Sequence, residues 1–423
     1  MIDDLDLLRP MMAYEKGRTA PPEGFPALPD LPGRRYVDPR FYELEQEHLW
    51  KNAWLLAGHL DELPQIGAFK KWEQIGQPLF LIRAGETQVN AFYNTCRHRG
   101  APVVLEETGK ANLLVCKYHN WTYNHDGALV ALRDPHDFVG LDRNCRSLKA
   151  VRCELYGRLI FVNLNPDAPP LLEALGPFID EWKPFAFDRL RLVKRYEKAL
   201  ACNWKIGIEA NMEVYHVNSI HPQTVASVLD YATNVNTLYP GGHGRMMALN
   251  LPATLVSGHE TPPDDRPRIE GVGAAALACT QSYNVFPNFV SPMGNMGIPL
   301  MLFWPRGLRQ SVLEVYWLGG DWRDAPRPKF WDLYMDAFDA VLEEDSQFGA
   351  GMQRSMESDA MAGIPLSYQE VRIYHAHAAM DEVIGRNRVP ADLQVPDVIG
   401  QEWLHPADTE TRTRLARSRS PEA

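Results

Sequence analysis

CRHRGAPVVLEETGKANLLVCKYH, residues 96–119, is the stretch from which the rest of the chain is read. It opens on Cys96-x-His98 and closes on Cys116-x2-His119, so each end offers one thiolate and one imidazole. Both are good ligands for iron and zinc. Spacings of one and two residues let both side chains of a pair face one metal centre from a single turn. Ordinary zinc fingers keep Cys with Cys and His with His, whereas here each pair is mixed. A [2Fe–2S] cluster with cysteines on one iron and histidines on the other requires that mixture. The bland alternative is four unrelated residues, which needs both spacings to arise together.

Working outward, the flanks read as short strands at 69–72, 78–83, 88–93, 113–118 and 158–163, with Gly67, Gly76, Gly85, Gly109 and Gly127 at the turns between them. They predict an all-β domain over 38–165, both metal pairs lying at strand ends or loop tips. Within it, Phe41, Leu44, His48 and Leu49 recur at helical spacing and predict a helix over 38–52. Residues 1–37 are Pro-rich with little periodicity, and read as an extension packed over the second domain. PDAPP at 166–170 marks the boundary. The second domain, 166–423, reads as a helix at 171–182, a strand over 190–205 and a helix over 204–217. A loop over 230–265 follows, then strands at 278–286, 301–304 and 310–318. A long helix over 329–357 and a last helix over 370–384 complete an α+β chain.

The run NTCRHRGAPVV…VCKYHNWTY…DG resembles the Rieske domain of the ring-hydroxylating oxygenases, the large (alpha) subunits of Rieske non-haem iron oxygenases. The resemblance implies that Cys96 and Cys116 bind one iron of a [2Fe–2S] cluster and His98 and His119 the other. Trp204 to Pro222, WKIGIEANMEVYHVNSIHP, then gains meaning. His216 and His221 stand five apart, and Glu213 lies about one helical turn before His216. Two histidines and a carboxylate on one face of an Fe(II), with positions left open, make the facial triad of oxygen-activating enzymes. Alone, the pair would read as partly buried structural histidines; behind a Rieske signature it reads as iron ligands.

The family pattern Asp/Glu-x2-His-x4-His is filled by Glu213, His216 and His221. By that resemblance Glu213 is not a ligand but bridges toward the Rieske histidine of a neighbouring subunit. Glu in place of the commoner Asp is similar to the carnitine- and choline-type monooxygenases. Ala210 stands where Asn is usual, and Asn211 points elsewhere on a helix. The third ligand is expected from Glu344-Asp345…Gln353, whose spacing matches the family's late motif, giving Asp345. Asp336, Asp339 and Glu343 read as solvated helix charges. His375-x-His377 is the rival, read as core or as support for the ligands. His243 and His259 lie in the expected loop without a partner motif.

The resemblance implies a helix-grip (START/Bet v 1-like) second domain and a homotrimer, or a trimer with small beta subunits. In such a trimer one subunit's cluster serves the next subunit's mononuclear Fe(II). Electrons would come from NAD(P)H through a separate reductase, with or without a ferredoxin, since the chain shows no GxGxxG loop. The expected reaction is hydroxylation or dihydroxylation of a hydrophobic, aromatic substrate. Phe286, Phe289, Met293, Met296 and Phe303 would line an apolar pocket unless they are plain core. The alternatives are N- or O-dealkylation, a carnitine- or choline-like amine, and a pure Rieske electron carrier.

Composition sets the outer bounds. The 423 residues are 45% hydrophobic and 23% charged, enough for two or three packed domains. A net charge of -11 argues against nucleic acid. Six cysteines are too few for a disulfide scaffold at this length. The N-terminus lacks signal-peptide features and no apolar run would span a membrane, so a cytoplasmic protein is expected.

Overall fold

Strand Leu79–Arg83 has four consecutive residues, Leu79 to Ile82, with no exposure at all, which is the signature of a central strand covered on both faces. In the computed structural model, which describes residues 5–251, 265–322 and 325–405, that strand sits inside the smaller of two units, Trp50–Leu171. Its antiparallel sheet runs Leu55–His59, Leu159–Asn163, Ala150–Tyr156, Val89–Tyr93, Leu79–Arg83, Ala68–Trp72 and Thr108–Lys110 in spatial order. A second, three-stranded sheet is made by Leu114–Val115, Thr122–Tyr123 and Leu129–Ala131. Phe69, Phe80, Phe92, Trp121 and Tyr123 fill the core, and Cys96 and Cys116 belong to it. Gly127 (φ +79°) lies so close to the Phe92 ring that a Cβ would approach it to 2.5 Å.

The other unit is Met1–Leu49 with Leu172–Ala423. The helical segment Pro39–Leu44 therefore belongs here, although the strand pattern placed it with the β-domain. It continues as a π-turn, Glu45–Leu49. The reason is a buried ion pair: Lys205 Nζ meets Glu45 Oε1 at 2.6 Å, both side chains fully buried. Arg35 makes the same kind of tie to Asp381 at 2.7 Å. At its other end the smaller unit extends to Leu171, whose N–H is held by Glu154 at 2.9 Å.

A seven-stranded antiparallel sheet forms the body of this unit, in the order Arg191–Leu200, Ser311–Gly319, Ile298–Pro305, Phe289–Met293, Cys279–Val285, His243–Asn250 and Leu229–Tyr239. Its register defines one inner row: Gly244 pairs with Asn284, Asn284 with Val290, Val290 with Met301, and Met301 with Val315. Cross-strand partners point to the same face. Two positions along from Gly244 and Val315, Met246 packs against Val214 and Val217, while Trp317 packs against Trp331, Tyr334 and Phe338 of the helix Phe330–Ser346. The opposite face carries Met247, Val235 and Cys279 under Leu8 and Met12 of an N-terminal helix, Leu5–Gly17.

Several expectations are corrected here. Residues 1–37 include that 13-residue helix. The expected loop over 230–265 is largely a hairpin, Leu229–Tyr239 with His243–Asn250, turning at Pro240–Gly242. Its remainder, with His259, lies outside the described residues. The helix expected over 204–217 stops at Glu209 and resumes as Val217–Ile220. The helix expected over 329–357 is two, Phe330–Ser346 and Gly349–Met356. Phe286, Phe289, Met293 and Phe303 are buried in the sheet.

The N-terminal segment is pinned by a buried polar cluster. Tyr36 Oη donates to the Glu209 carboxylate at 2.9 and 3.0 Å, and His377 Nε2 lies 2.8 Å from Glu209 Oε1. Burial pushes Glu209 up to about 8, against the Tyr36 hydrogen bond and the Lys205 and Arg35 charges, which lower it. Burial likewise holds His377 well below the usual imidazole range. A protonated Glu209 donating to a neutral His377 satisfies both. The folded pKa is raised, so the stabilisation is complete at acidic pH and is lost as the carboxyl ionises. Stability should fall by a few kcal/mol between pH 4.5 and about 8, and Glu209→Gln should flatten that part of the profile. Denaturant titrations at about pH 5, 7 and 8.5 read this directly.

Candidate metal centres

The two Cys/His pairs occupy loops of one design. In the first, Cys96 N–H donates to Ala101 O (2.8 Å) and Gly100 N–H to Cys96 O (3.0 Å). In the second, Cys116 N–H donates to Trp121 O (2.9 Å) and Asn120 N–H to Cys116 O (2.8 Å). The residue four beyond each cysteine has a left-handed backbone, Gly100 at φ 78° and Asn120 at φ 60°, the conformation that Gly and Asn adopt most readily. The Asn94 amide braces the first loop through Val103 N, Val104 N and Val104 O, at 2.8 to 2.9 Å.

These loops bring like donors together. His98 Nδ1 and His119 Nδ1 are 3.1 Å apart, and the Cys96 and Cys116 thiols are hydrogen-bond neighbours. Among the described residues, only one group of three His, Cys, Asp or Glu side chains has its ligand atoms within 4.8 Å of one another, and it includes none of these four. A single tetrahedral zinc would need the four donors closer than that. One sulfur pair and one nitrogen pair, held apart, fit a binuclear cluster.

The Trp121 ring stacks on His98 (4.9 Å between centroids, 9° between planes) and excludes water from that side. Arg97 N–H donates to Tyr123 Oη at 3.0 Å, which leaves the Tyr123 hydroxyl proton for Cys96 Sγ at 3.3 Å. Hydrogen bonds to a cluster's sulfurs favour its reduced, more negative state. Tyr123→Phe should therefore lower the reduction potential, by on the order of 60 mV, the one-electron equivalent of a tenfold bias. A redox titration followed by the cluster's absorption tests this.

The second centre is His216, His221 and Asp345, whose ligand atoms all lie within 4.8 Å of one another. Asp345 Oδ1 is 2.8 Å from His221 Nε2 and 3.4 Å from His216 Nε2. Each imidazole is aimed by a carboxylate on its far nitrogen: Glu213 Oε1 takes His216 Nδ1, and Glu344 Oε2 takes His221 Nδ1 at 2.7 Å. Thr224 fixes Glu344 by a hydrogen bond of 2.7 Å. This arrangement selects the tautomer that presents Nε2 to a cation. The field is strongly negative: burial lowers His216, yet its bonds to Asp345 and Glu213 carry it up to about 10. A site that holds a proton so firmly is built for positive charge. Two imidazoles and one carboxylate fit Fe(II).

Local chemistry explains the chain's path here. The Glu213 carboxylate also accepts the N–H groups of Tyr215 and His216, competing with the helix ladder. The first helix ends at Glu209, and the short helix Val217–Ile220 carries His216 at its start and His221 at its end. Asp345 and Glu344 come from the last turn of Phe330–Ser346.

Other candidates lie elsewhere. Gln353 binds Asn203 N–H at 2.8 Å and is a structural cap. Asn211 bonds Gly207 O. His375 bonds Tyr239 O at 2.7 Å, His377 bonds Glu209, and His243 is held between Ala174 O and Phe286 N. The roles of Glu344, Thr224 and Tyr123 escaped the sequence reading. Glu344 belongs to the late motif that marks Asp345, but the motif gives it no role of its own.

Comparison with known proteins agrees with this geometry. Residues 53–146 match the Rieske [2Fe-2S] domain family, and residues 187–386 match the ring hydroxylating alpha subunit (catalytic domain) family. The chain belongs to the large, alpha subunits of the Rieske-type non-haem iron oxygenases. It is 33% identical over 203 residues to a glycine betaine monooxygenase oxygenase subunit of Pseudomonas aeruginosa, covering 48% of this chain and 47% of that protein. It is 32% identical over 208 residues to a carnitine monooxygenase oxygenase subunit of Escherichia coli, covering 48% and 55%. The chain thus spans about half the length of these relatives. A quaternary ammonium Rieske monooxygenase shares the fold with TM-score 0.70 at 19% identity, over 86% of this chain and 96% of that one. Naphthalene 1,2-dioxygenase from Rhodococcus sp. does so with TM-score 0.67 at 20% identity, over 90% and 99%. Among the described residues no helix is long and apolar enough to cross a membrane.

Proposed function

We propose that this chain is the terminal oxygenase component of a multicomponent Rieske system, and that it dealkylates a small quaternary or tertiary amine. The observation carrying the first part is the presence of both donor sets in one chain: paired thiols and imidazoles at 96–119, and the carboxylate-braced His216, His221 and Asp345. In this reading Cys96 and Cys116 hold one cluster iron, His98 and His119 the other, and the triad holds the mononuclear iron. Iron at the triad supplies activation of O2, and the cluster supplies electrons one at a time. Asp345 balances the metal's charge, while Glu344 and Glu213 keep the imidazoles turned toward it. Glu213, already bonded to His216, would be the relay toward a neighbouring subunit's cluster in a trimer. NAD(P)H would act through a separate reductase, with or without a ferredoxin. The sheet with helices laid on its inner face supports the helix-grip assignment.

The amine is favoured over the aromatic substrate expected from sequence because two of the most similar relatives are named for glycine betaine and carnitine, and because Glu rather than Asp stands at 213. For a trimethylammonium substrate, O2, two electrons and two protons convert one methyl C–H to C–OH, with release of water. The hydroxymethyl group then gives up its O–H proton to solvent and leaves as formaldehyde, and the nitrogen keeps the electron pair of the broken C–N bond. Aromatic dihydroxylation is the second reading. It is favoured by 28% identity over 264 residues to a 2-aminobenzenesulfonate 2,3-dioxygenase subunit alpha of Alcaligenes sp., covering 61% of this chain and 66% of that one. Incubation with a surrogate reductase, NADH and a panel of amines and aromatics decides. Formaldehyde with the demethylated amine supports the proposal; cis-diols from aromatics alone overturn it.

A further inference from the structure

Helix Val371–Ile384 carries a cation that neither metal centre uses. Arg372 is fully buried. Its Nη1 donates to Ser282 O at 3.0 Å and Asn284 Oδ1 at 3.3 Å. Its Nε and Nη2 meet no hydrogen-bond partner among the described residues. The other fully buried cations of this unit are different: Arg35, Lys205 and Arg245 each contact a carboxylate, Asp381, Glu45 and Glu181 respectively. The charge whose field reaches Arg372 is Glu213, the carboxylate that holds His216. Burial outweighs that charge and draws its pKa down to about 9. Keeping such a group inside the fold is costly unless something pairs with it.

The position is built for it. Arg372 lies against Gly244, where a Cβ would meet its Cδ at 3.1 Å and Asn284 Oδ1 at 2.7 Å, so any other residue would crowd the stem. Gly244 and Asn284 belong to the inner row of the sheet. Met246 and Ala248 continue that face and pack on Val214 and Val217, which flank Glu213 and His216. The helix bearing Asp345 covers the far end of the same face through Trp317. Arg372 and the triad thus share one side of the sheet. The two unpaired groups, Nε and Nη2, form the side-on edge of the guanidinium, whose parallel N–H bonds match the two oxygens of a carboxylate.

We infer that Arg372 is the anion anchor of the substrate site, taking an oxoanion of the substrate, a carboxylate above all. Combined with the amine reading, on which this step partly rests, the substrate is a zwitterion of the betaine type rather than a simple cation or a neutral hydrocarbon. Glu213 and the triad then face the nitrogen end while Arg372 fixes the other.

The test uses the iron-loaded full chain without reductase and two matched pairs of probes: glycine betaine against choline, and benzoate against benzyl alcohol. Calorimetry gives their affinities for wild type, Arg372→Met and Arg372→Lys, with melting temperature and iron content as controls. In at least one pair the anion should bind roughly 10- to 100-fold more tightly in wild type. Arg372→Met should bring that ratio to about one, with Arg372→Lys between. If the Met variant does not fold, the Lys variant alone must lower the ratio. Equal affinities within both pairs, no binding by either anion, or a ratio unchanged by substitution overturns the anchor. If glycine betaine and choline bind equally and benzoate shows no preference over benzyl alcohol, the amine reading survives and the anchor fails. If only benzoate shows the Arg372-dependent preference, the anchor survives and the amine reading fails.

Discussion

Asp345→Ala is expected to leave two irons per chain where the wild type holds three, and to reduce oxygenation by at least roughly 1,000-fold. The geometry gives the reason. Asp345 is the one carboxylate that faces both imidazole Nε2 atoms, at 2.8 and 3.4 Å. Glu213 and Glu344 sit on the far side of the rings and cannot replace it without releasing them. Removing Asp345 leaves two neutral donors and no opposing charge for a divalent cation. The cluster should be untouched, because its donors and their braces all lie in the compact unit Trp50–Leu171. Iron analysis and the cluster's EPR signal, recorded on one preparation, give both halves of the result. Three irons in the variant would mean that the third ligand is another residue.

The same variant separates an oxygenase from an electron carrier. A carrier needs only the loops at Cys96 and Cys116, and for it Asp345 would be a helix charge of no consequence. Yet burial and the two histidines act on this carboxyl together, and its pKa is lowered despite burial, which alone would raise it. A surface charge on a long helix does not behave in that way.

What the sequence disclosed follows from the range of each interaction. The cluster loops were legible because each is closed by bonds within five residues of its cysteine, so spacing reports geometry. His216 and His221 were legible for the same reason. Asp345 lies 124 positions from His221, and only resemblance to a family pattern could select it among the neighbouring acids. The hairpin at 229–250 was misread because Asn234, Asn236, Gly241 and Gly242 look like loop composition. In the fold the asparagines are buried, and Asn236 bonds Gln369 O, while the glycines make the turn with positive φ. The break after Ser346 was hidden because the apolar period runs on through Phe348 and Met352, which are exposed. Arg372 gave no signal, since its isolation is a property of the two strands and one helix around it.

Glu213→Gln should keep both metal centres and lose most of the turnover, by about 100-fold. The carboxylate is an acceptor three times over: Oε1 for His216 Nδ1–H, and Oε2 for the N–H groups of Tyr215 and His216. An amide can present its oxygen to only one side. If the oxygen faces the backbone, the amide NH2 faces Nδ1, and the imidazole must shift its proton to Nε2, the atom needed for iron. If the oxygen faces Nδ1, the NH2 opposes two backbone donors, at a cost of about 1–3 kcal/mol. Either way His216 is held less well, and iron affinity should weaken by roughly 10- to 100-fold without being abolished. In the proposed relay the same substitution also removes the charge through which an electron would pass from a neighbouring cluster. Stopped-flow reoxidation of the reduced cluster, with iron supplied to full occupancy, tells the two effects apart. Slow reoxidation at full iron content supports a relay. Wild-type reoxidation once iron is restored reduces Glu213 to a residue that positions His216, and loss of the cluster spectrum would contradict both roles.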